Sequence, residues 1–360
     1  MIGLFEPIAA ACAIEVPAGH RLPVAIVGAG AIVDLAHLPA YPAGGIEVVG
    51  IHDIDPKRAA EVAERHGIAR IYSTVDDLLA DDSVAVVDVA VPAAAQPEIA
   101  RRVLAAGRHM LGQKPFAPSA AVGAELAGLA DAHGVVLAVN QQLRFDEGMA
   151  AAHAMVEAGW LGELTAMSIT VNIWTEWRDW PWMLATPRLE ISNHSIHYHD
   201  VVRWFLGEPE TVFCAGGRTP GQAPTGETRT ISTATYPSGA LSIVHANHEN
   251  DRADNAAEFR IDGSQGSIRG TLGLLYDYPH GRPDTVDVSS AVVPTDGWVP
   301  YPVTTRWIPD AFLGPMASLL NAVATGQPPR SSGRENVGTL RVVDALYASI
   351  RTGAAQRLAG

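Results

Sequence analysis

The densest chemistry in this chain lies in the segment Glu190-Ile-Ser-Asn193-His194-Ser-Ile-His197-Tyr-His199-Asp200. On a helix, Asn193 and His197 stand four residues apart and share a face, and Asp200 follows three residues later near it. An imidazole titrates near neutral pH, so His197 is the natural acceptor for an alcohol proton. Ile196, Val201 and Phe205 give such a helix its apolar packing surface, and Gly207 stops it. Two other readings compete: a core histidine satisfied by Asp200, and a zinc site from His194, His197, His199 and Asp200. Residues two apart do not face each other on a helix, which turns His199 away from His197 and argues against the metal. A second reactive group is Lys114, held between the apolar run His109-Met-Leu-Gly112 and Pro115.

A glycine-rich turn lies upstream, in Pro23-Val-Ala-Ile-Val27-Gly28-Ala-Gly30-Ala31-Ile32-Val33. Val24 to Val27 reads as a fully buried parallel strand that gives way to a helix. Gly28 and Gly30 let the backbone turn tightly and approach a pyrophosphate, which then meets the N–H groups and positive dipole end of the helix starting at Ala31 and Ile32. The third position of the G-x-G-x-x-G pattern is Val33. One strand later, Ile46-Glu-Val-Val-Gly-Ile-His-Asp53 ends on an acid roughly 20 residues past the glycines, where a carboxylate accepts the two hydroxyls of an adenosine ribose. Its other reading is a helix cap, since Asp55-Pro56 opens the next helix. Ile54 follows rather than Arg or Lys. A 2′-phosphate would be repelled by Asp53 and find no cation beside it, which favours NAD over NADP.

The elements that must hold these residues are legible. Residues 22 to about 140 alternate strands and helices, with helices over Pro56 to His66, Val75 to Leu79, Gln96 to Ala106 and Ser119 to His133. Strands fall at Ile71, Val84 to Val91, His109 to Gly112 and Val135 to Val139. This alternation implies an α/β domain built on a parallel, doubly wound sheet, whose ligands sit at the carboxyl ends of the strands. Asp53, Pro92 with Gln96, and Gln113 with Lys114 all fall at such ends. After about residue 143 one helix, Gly148 to Ala158, precedes a strand-rich stretch from Leu164 to Gly270, interrupted by the helix near Asn193 to Leu206. Helices near Ala311 to Thr325 and Arg334 to Thr352 close the chain. The expected second domain is α+β with a large open, mostly antiparallel sheet. The boundaries read as an arm over 1–21, a dinucleotide-binding domain over 22–142 and a second domain over 143–360. Residues 279–305, rich in Pro, Gly and Asp, read as an exposed excursion.

Composition excludes several classes. The chain has 360 residues, is 48% hydrophobic and carries a net charge of −14, which argues against a nucleic-acid partner. Its two cysteines, Cys12 and Cys214, form neither a disulfide framework nor a metal pattern. No apolar run reaches the roughly 18 residues that span a bilayer. The first 20 residues lack a basic n-region and a twin arginine, so the expected compartment is the cytoplasm. The loop Trp174-Thr-Glu-Trp177-Arg178-Asp-Trp180-Pro-Trp182 suits the C–H faces of a sugar, or a core or subunit interface.

Taken in order, the glycine turn, Asp53, Lys114-Pro115, Asn140-Gln-Gln-Leu-Arg144-Phe-Asp146 and His197-x-x-Asp200 resemble the glucose–fructose oxidoreductase / inositol dehydrogenase / MocA family from about residue 22 onward. The resemblance implies an N-terminal Rossmann domain, a tightly held nicotinamide cofactor and an enzyme that oxidises a ring hydroxyl of a sugar or cyclitol. It implies that Lys114 bonds the reacting hydroxyl, that His197 accepts its proton and that Arg144 lies near substrate; with it, Arg144 and Asn193 are expected to position substrate and Trp174 of the aromatic loop to line it. It also places Gln96 and Gln113 by the cofactor. Gln113 stands where the family carries Glu, and Asn193 where it carries Asp, so two charges are lost. An aspartate beside a histidine would make the ring a stronger base. The alternatives on this fold are an NAD-assisted lyase or hydrolase acting by transient oxidation, and an NAD-binding protein without turnover. The resemblance further implies pairing of copies, as a homodimer or homotetramer, through the open face of the second sheet.

Overall fold

Short β-branched runs bounded by turns become strands buried along their whole length. The computed structural model describes residues 3–250 and 254–358. After a short helix, α1 (Glu6–Cys12), the strands β1 (Val24–Val27), β2 (Val48–His52), β3 (Val86–Val89), β4 (His109–Gln113) and β5 (Leu137–Asn140) form a parallel sheet of order β2-β1-β3-β4-β5. Because β1 pairs with β2 on one side and β3 on the other, the strand order reverses there, which makes a crevice at their carboxyl ends. The glycine turn is followed by a π-helical turn (Val33–His37) and α2 (Leu38–Ala40). The other helices here are α3 (Pro56–His66), α4 (Val75–Leu79), α5 (Gln96–Ala105) and α6 (Ala120–Ala132). Asp55 caps α3 by accepting the N–H groups of Lys57 and Arg58, and Gly67 ends it with a φ of 69°.

The chain divides into two compact units. The first holds this sheet and comprises Ile14–Phe145 together with Ile308–Leu340. Thus α9 (Leu313–Thr325), late in the sequence, packs against β4 and β5. Ser331 exchanges backbone and hydroxyl bonds with Val139 and so covers the free edge of β5.

The second unit comprises the residues up to Ala13, Asp146–Trp307 and Arg341 onward. Its helices are α7 (Glu147–Glu157), α8 (Ile196–Leu206) and the later part of α10 (Gly333–Thr352). Among the described residues nine strands form one sheet: β6 (Leu164–Asn172), β7 (Thr211–Gly217), β8 (Arg229–Thr235), β9 (Leu241–Asn247), β10 (Ala256–Gly263), β11 (Gly266–Thr271), β12 (Thr285–Ser290), β13 (Val299–Tyr301) and β14 (Gln356–Arg357). Their order is β13-β12-β11-β10-β6-β9-β8-β7-β14, antiparallel throughout except for β6 beside β9. α8 lies on the β6 and β9 face. The opposite face leaves Phe213, Ile231, Leu241 and Ile243 exposed across β7 to β9.

Two stretches carry more structure than their composition announces. The excursion at 279–305 holds β12 and β13, which extend the sheet. The N-terminal arm is folded: Phe5 nests against the rings of Trp160 and Tyr301, Ile8 is buried, and α1 packs on α7. No helix among the described residues is long and apolar enough to cross a membrane.

One buried pair in the second unit makes stability depend on pH. The Asp146 carboxylate caps α7 through Gly148 and Met149, and the Asp284 carboxylate accepts the N–H of Gly273. The two carboxyls also hydrogen-bond each other, and burial pushes the proton affinity of both upward. A carboxyl with a raised folded-state pKa stabilises the fold at low pH, and that contribution is lost as pH rises through the raised value. Asp284→Asn keeps an acceptor for Gly273 and supplies a donor to Asp146 without the second charge. In thermal scans from pH 5 to 8 the variant is expected to lose part of the alkaline decline and to exceed the wild type at pH 8 by about 1 kcal/mol.

Candidate active site

The carboxyl edge of the parallel sheet gathers the residues expected at the cofactor. Gly28 has a φ of 110°, and a Cβ there would lie 2.3 Å from the Ala90 carbonyl at the end of β3, so only glycine lets the turn pack into the β1/β3 crevice. At Gly30 a Cβ would meet nothing within 4 Å, so the backbone faces open space. The first bond of the following helix runs from Val33 N–H to Gly30 C=O. The N–H groups of Gly30, Ala31 and Ile32 precede it and point out of the helix start. Asp53 stands beside the turn: its Oδ2 accepts the Ala29 N–H at 2.7 Å and its Oδ1 accepts the Asp55 N–H at 2.8 Å. Asp55, not Asp53, caps the helix. A carboxylate has about four acceptor positions, so Asp53 keeps capacity for two hydroxyl donors. This open glycine cradle with an anchored acid beside it fits a dinucleotide.

Lys114 follows β4 in the same unit. It is partly covered, and desolvation lowers its ammonium pKa to about 8. Its backbone N–H donates to the Gln113 side chain at 2.9 Å. Gln96 is fully buried beneath it, and its Nε2 donates to the carbonyls of Gln113 at 2.6 Å and Pro115 at 2.9 Å, the residues that flank the lysine. Gln96 therefore spends its amide group on holding the lysine loop, while Pro92, four residues earlier, is exposed at the end of β3. Arg144 is only 1% exposed: its guanidinium donates to the Glu335 carboxylate at 2.9 Å and to the Arg330 carbonyl at 3.1 Å. It locks the late segment onto the 3₁₀ turn after β5.

His197, Asn193 and Trp174 belong to the second unit. The helix that carries His197 begins with a π-helical turn, Ile191–Ser195, before α8. Such a turn loosens the regular ladder, and side chains take over its bonds. Asn193 Nδ2 donates to the Leu189 carbonyl at 2.8 Å. Glu227 accepts the N–H groups of Leu189 and Ile191 and the hydroxyl of Tyr347. Glu190, wholly buried, accepts the N–H and the hydroxyl of Ser195 and the hydroxyl of Thr230. Burial pushes the Glu190 carboxyl up, but His248 and Thr230 outweigh it and hold the pKa below the ordinary value. His197, 6% exposed, stands edge-on to Trp307 at 5.4 Å. His199 turns into the core, where burial lowers its pKa to about 4 and keeps it neutral. Among the described residues no group of three His, Cys, Asp or Glu could hold a metal.

Sequence reasoning gave Glu190 no role and missed Glu227 and His248. They lie on separate elements, and no local spacing marks a buried carboxylate that caps a turn 36 to 38 residues away in the chain. Trp174 begins the loop after β6, with its indole 44% exposed.

Two family models match the chain. Residues 22–141 match an oxidoreductase family with an NAD-binding Rossmann fold, and residues 149–269 match the C-terminal domain of the same Gfo/Idh/MocA group. D-apiose dehydrogenase from Paraburkholderia graminis is 25% identical over 343 residues, covering 92% of this chain and 88% of that protein. A D-xylose 1-dehydrogenase (NADP(+)) from Haloferax volcanii is 28% identical over 348 residues, covering 92% and 98%. An oxidoreductase from Agrobacterium radiobacter, solved with NAD+, L-tartaric acid and magnesium, shares the fold with a TM-score of 0.83 at 23% identity, covering 94% of this chain and 98% of its own. The two matched segments span well over half of the sequence, and the chain belongs to the Gfo/Idh/MocA family of oxidoreductases, with an NAD-binding Rossmann domain.

Proposed function

We propose that the protein is an NAD-dependent dehydrogenase that oxidises a ring hydroxyl of a sugar or cyclitol. The observation that carries this reading is the desolvated Lys114 ammonium at the same sheet edge as the open glycine cradle and Asp53. The likeness to a D-apiose dehydrogenase and a D-xylose dehydrogenase supports a carbohydrate substrate. The Asp53 carboxylate, followed by the exposed, apolar Ile54, supports NAD over NADP.

In this reading Gly28, Gly30, Ala31 and Ile32 hold the pyrophosphate, and Asp53 takes the adenosine ribose hydroxyls. Pro92 and Gln113 border the nicotinamide end. When bound, the nicotinamide ring supplies the hydride acceptor. Lys114 donates a hydrogen bond to the reacting hydroxyl oxygen and stabilises the negative charge that grows there as the proton leaves. His197 accepts that proton at a ring nitrogen. Gln96, Arg144 and Asn193 work from behind: they fix the lysine loop, the turn after β5 and the π-helical turn. A second copy of the chain covers the exposed apolar residues Phe213, Ile231, Leu241 and Ile243, a patch that supports a homo-oligomer.

Nicotinamide absorbance followed across a panel of aldoses, furanoses and inositols tests the reaction. Lys114→Ala and His197→Ala are each expected to lower kcat by about 10²–10⁴. Full turnover in both variants refutes the mechanism. The charged ammonium is the active form of Lys114, so the wild type should lose activity as pH rises through about 8, and that limb should vanish in Lys114→Ala.

Gly30→Ala separates cofactor contact from folding. The site tolerates a Cβ in the free protein, so the thermal midpoint without NAD should not move. NAD affinity should fall roughly tenfold or more, because the methyl occupies the approach to the pyrophosphate. Unchanged NAD affinity would remove Gly30 from the site. Asn193→Asp returns the missing charge, and the pH at half-maximal activity should then rise, because a carboxylate near His197 favours the imidazolium.

A further inference from the structure

A cavity of about 210 Å³ opens in the second unit beside the loop that leaves β6, and none of the residues assigned above to the cofactor or to proton transfer lines it. Its walls come from three separate stretches of chain. Trp174, Glu176, Trp177 and Arg178 follow β6, the turn around Gln222 joins β7 to β8, and Glu249 follows β9. The cavity is built rather than left over from poor packing. All the hydrogen-bonding capacity of the Gln222 amide goes into the turn: its oxygen accepts from Thr219 N–H and Thr228 hydroxyl, and its nitrogen donates to the carbonyls of Pro224 and Gly226. Glu249 accepts the indole N–H of Trp177 at 3.2 Å and bridges to Trp174 through the backbone. Trp177 is 3% exposed, whereas Trp174 keeps 44% of its surface open.

We propose that this cavity is a carbohydrate subsite that binds one neutral sugar ring. An open indole beside carboxylates and a guanidinium is the chemistry that recognises a sugar. The C–H face of the ring covers Trp174, its hydroxyls donate to Glu176 and Glu249, and Arg178 donates to a ring or hydroxyl oxygen. Arg178 and Glu176 pair with each other at 3.4 Å, so the charge left over is the single negative one of Glu249. That charge selects against uronates and sugar phosphates, whose anions it repels. The volume holds one ring, not a chain of them.

The position of the cavity says which ring. Trp177 is shared: it lines the cavity, and its ring meets the His194 ring edge-on at 5.3 Å, three residues before His197. A substrate that fills both places is a glycoside, with one ring oxidised at His197 and its neighbour held on Trp174. That the ring belongs to the substrate rests on the dehydrogenase reading above; that the cavity binds a neutral sugar does not.

Two independent measurements test it on the full-length protein. Titration calorimetry with non-reducing methyl β-D-glucopyranoside measures binding without turnover. The wild type should bind it, Trp174→Ala should weaken binding roughly tenfold, and Glu249→Gln should gain affinity for methyl β-D-glucopyranosiduronate. Steady-state kinetics at saturating NAD then compare a disaccharide with its free monosaccharide. The wild type should prefer the disaccharide in kcat/KM, and Trp174→Ala should bring that ratio close to one. No calorimetric binding to the wild type overturns the subsite even if the enzyme is an active dehydrogenase. Binding that needs Trp174 sustains it even if no sugar is oxidised. Equal sugar binding in wild type and Trp174→Ala, with a smaller assembly of the variant by light scattering, assigns Trp174 to a contact between copies and overturns the subsite as well.

Discussion

A backbone amide or carbonyl that leaves its ladder must find another partner, and a buried one left without any costs about 1–3 kcal/mol. In each unit the candidate functional residues stand where this happens. Strands end there, turns tighten, and one helix opens with a π-helical turn. At each place a polar side chain takes over: Asp53 accepts from Ala29, Gln96 bridges the carbonyls on either side of Lys114, and Asn193 donates to Leu189. Glu227 and Glu190 accept the amides of Leu189, Ile191 and Ser195. The geometry of the reactive side chains follows in part from these bonds: those of Gln96 hold the residues on either side of Lys114, and that of Glu190 holds Ser195, two residues before His197.

This constraint also explains why polar residues of one type divide between two kinds of work. Lys114 and His197 can do chemistry because neighbouring polar groups do the holding. Gln96 holds two carbonyls with its single nitrogen, which a carboxylate could not do, since it has no proton to donate. Asn193 is in the same position: its Nδ2 meets the Leu189 carbonyl, so an amide suits the π-helical turn better than an acid would. At Asn193 the absence of the acid that the family carries is thereby partly a structural choice, because the amide closes the turn.

Electrostatics is handled by burial in several places. Lys114 is desolvated enough to titrate near 8. His199 is kept neutral, and the Asp146–Asp284 pair is pushed toward sharing a proton. Glu190 goes the other way, since three donors and His248 offset the cost of its burial. The difference lies in the partners each group faces: His248 and Thr230 hold the Glu190 pKa down, whereas burial against a second carboxylate raises those of Asp146 and Asp284.

The sequence by itself determined the local elements, because apolar period, Pro, Gly and cap residues act over a few neighbours. Helices such as Pro56–His66 and Val75–Leu79 and the strand Val24–Val27 stand where the pattern places them. The glycine turn and Asp53 were legible too, since a strand–turn–helix–strand run puts both at one sheet edge whatever the rest of the chain does. Other features depend on contacts between residues far apart in the chain, and only the tertiary structure decided them. The register that sets β6 between β9 and β10 is one, and the return of Ile308–Leu340 to the parallel sheet is another. So is the seat of Phe5 between Trp160 and Tyr301, in a stretch whose composition reads as a loose arm. Gln96, Arg144 and Asn193 were visible as polar residues near the site, but their partners are main-chain groups and carboxylates that local spacing does not announce. A side chain's type limits which bonds it can make, and the fold alone brings the partner within reach.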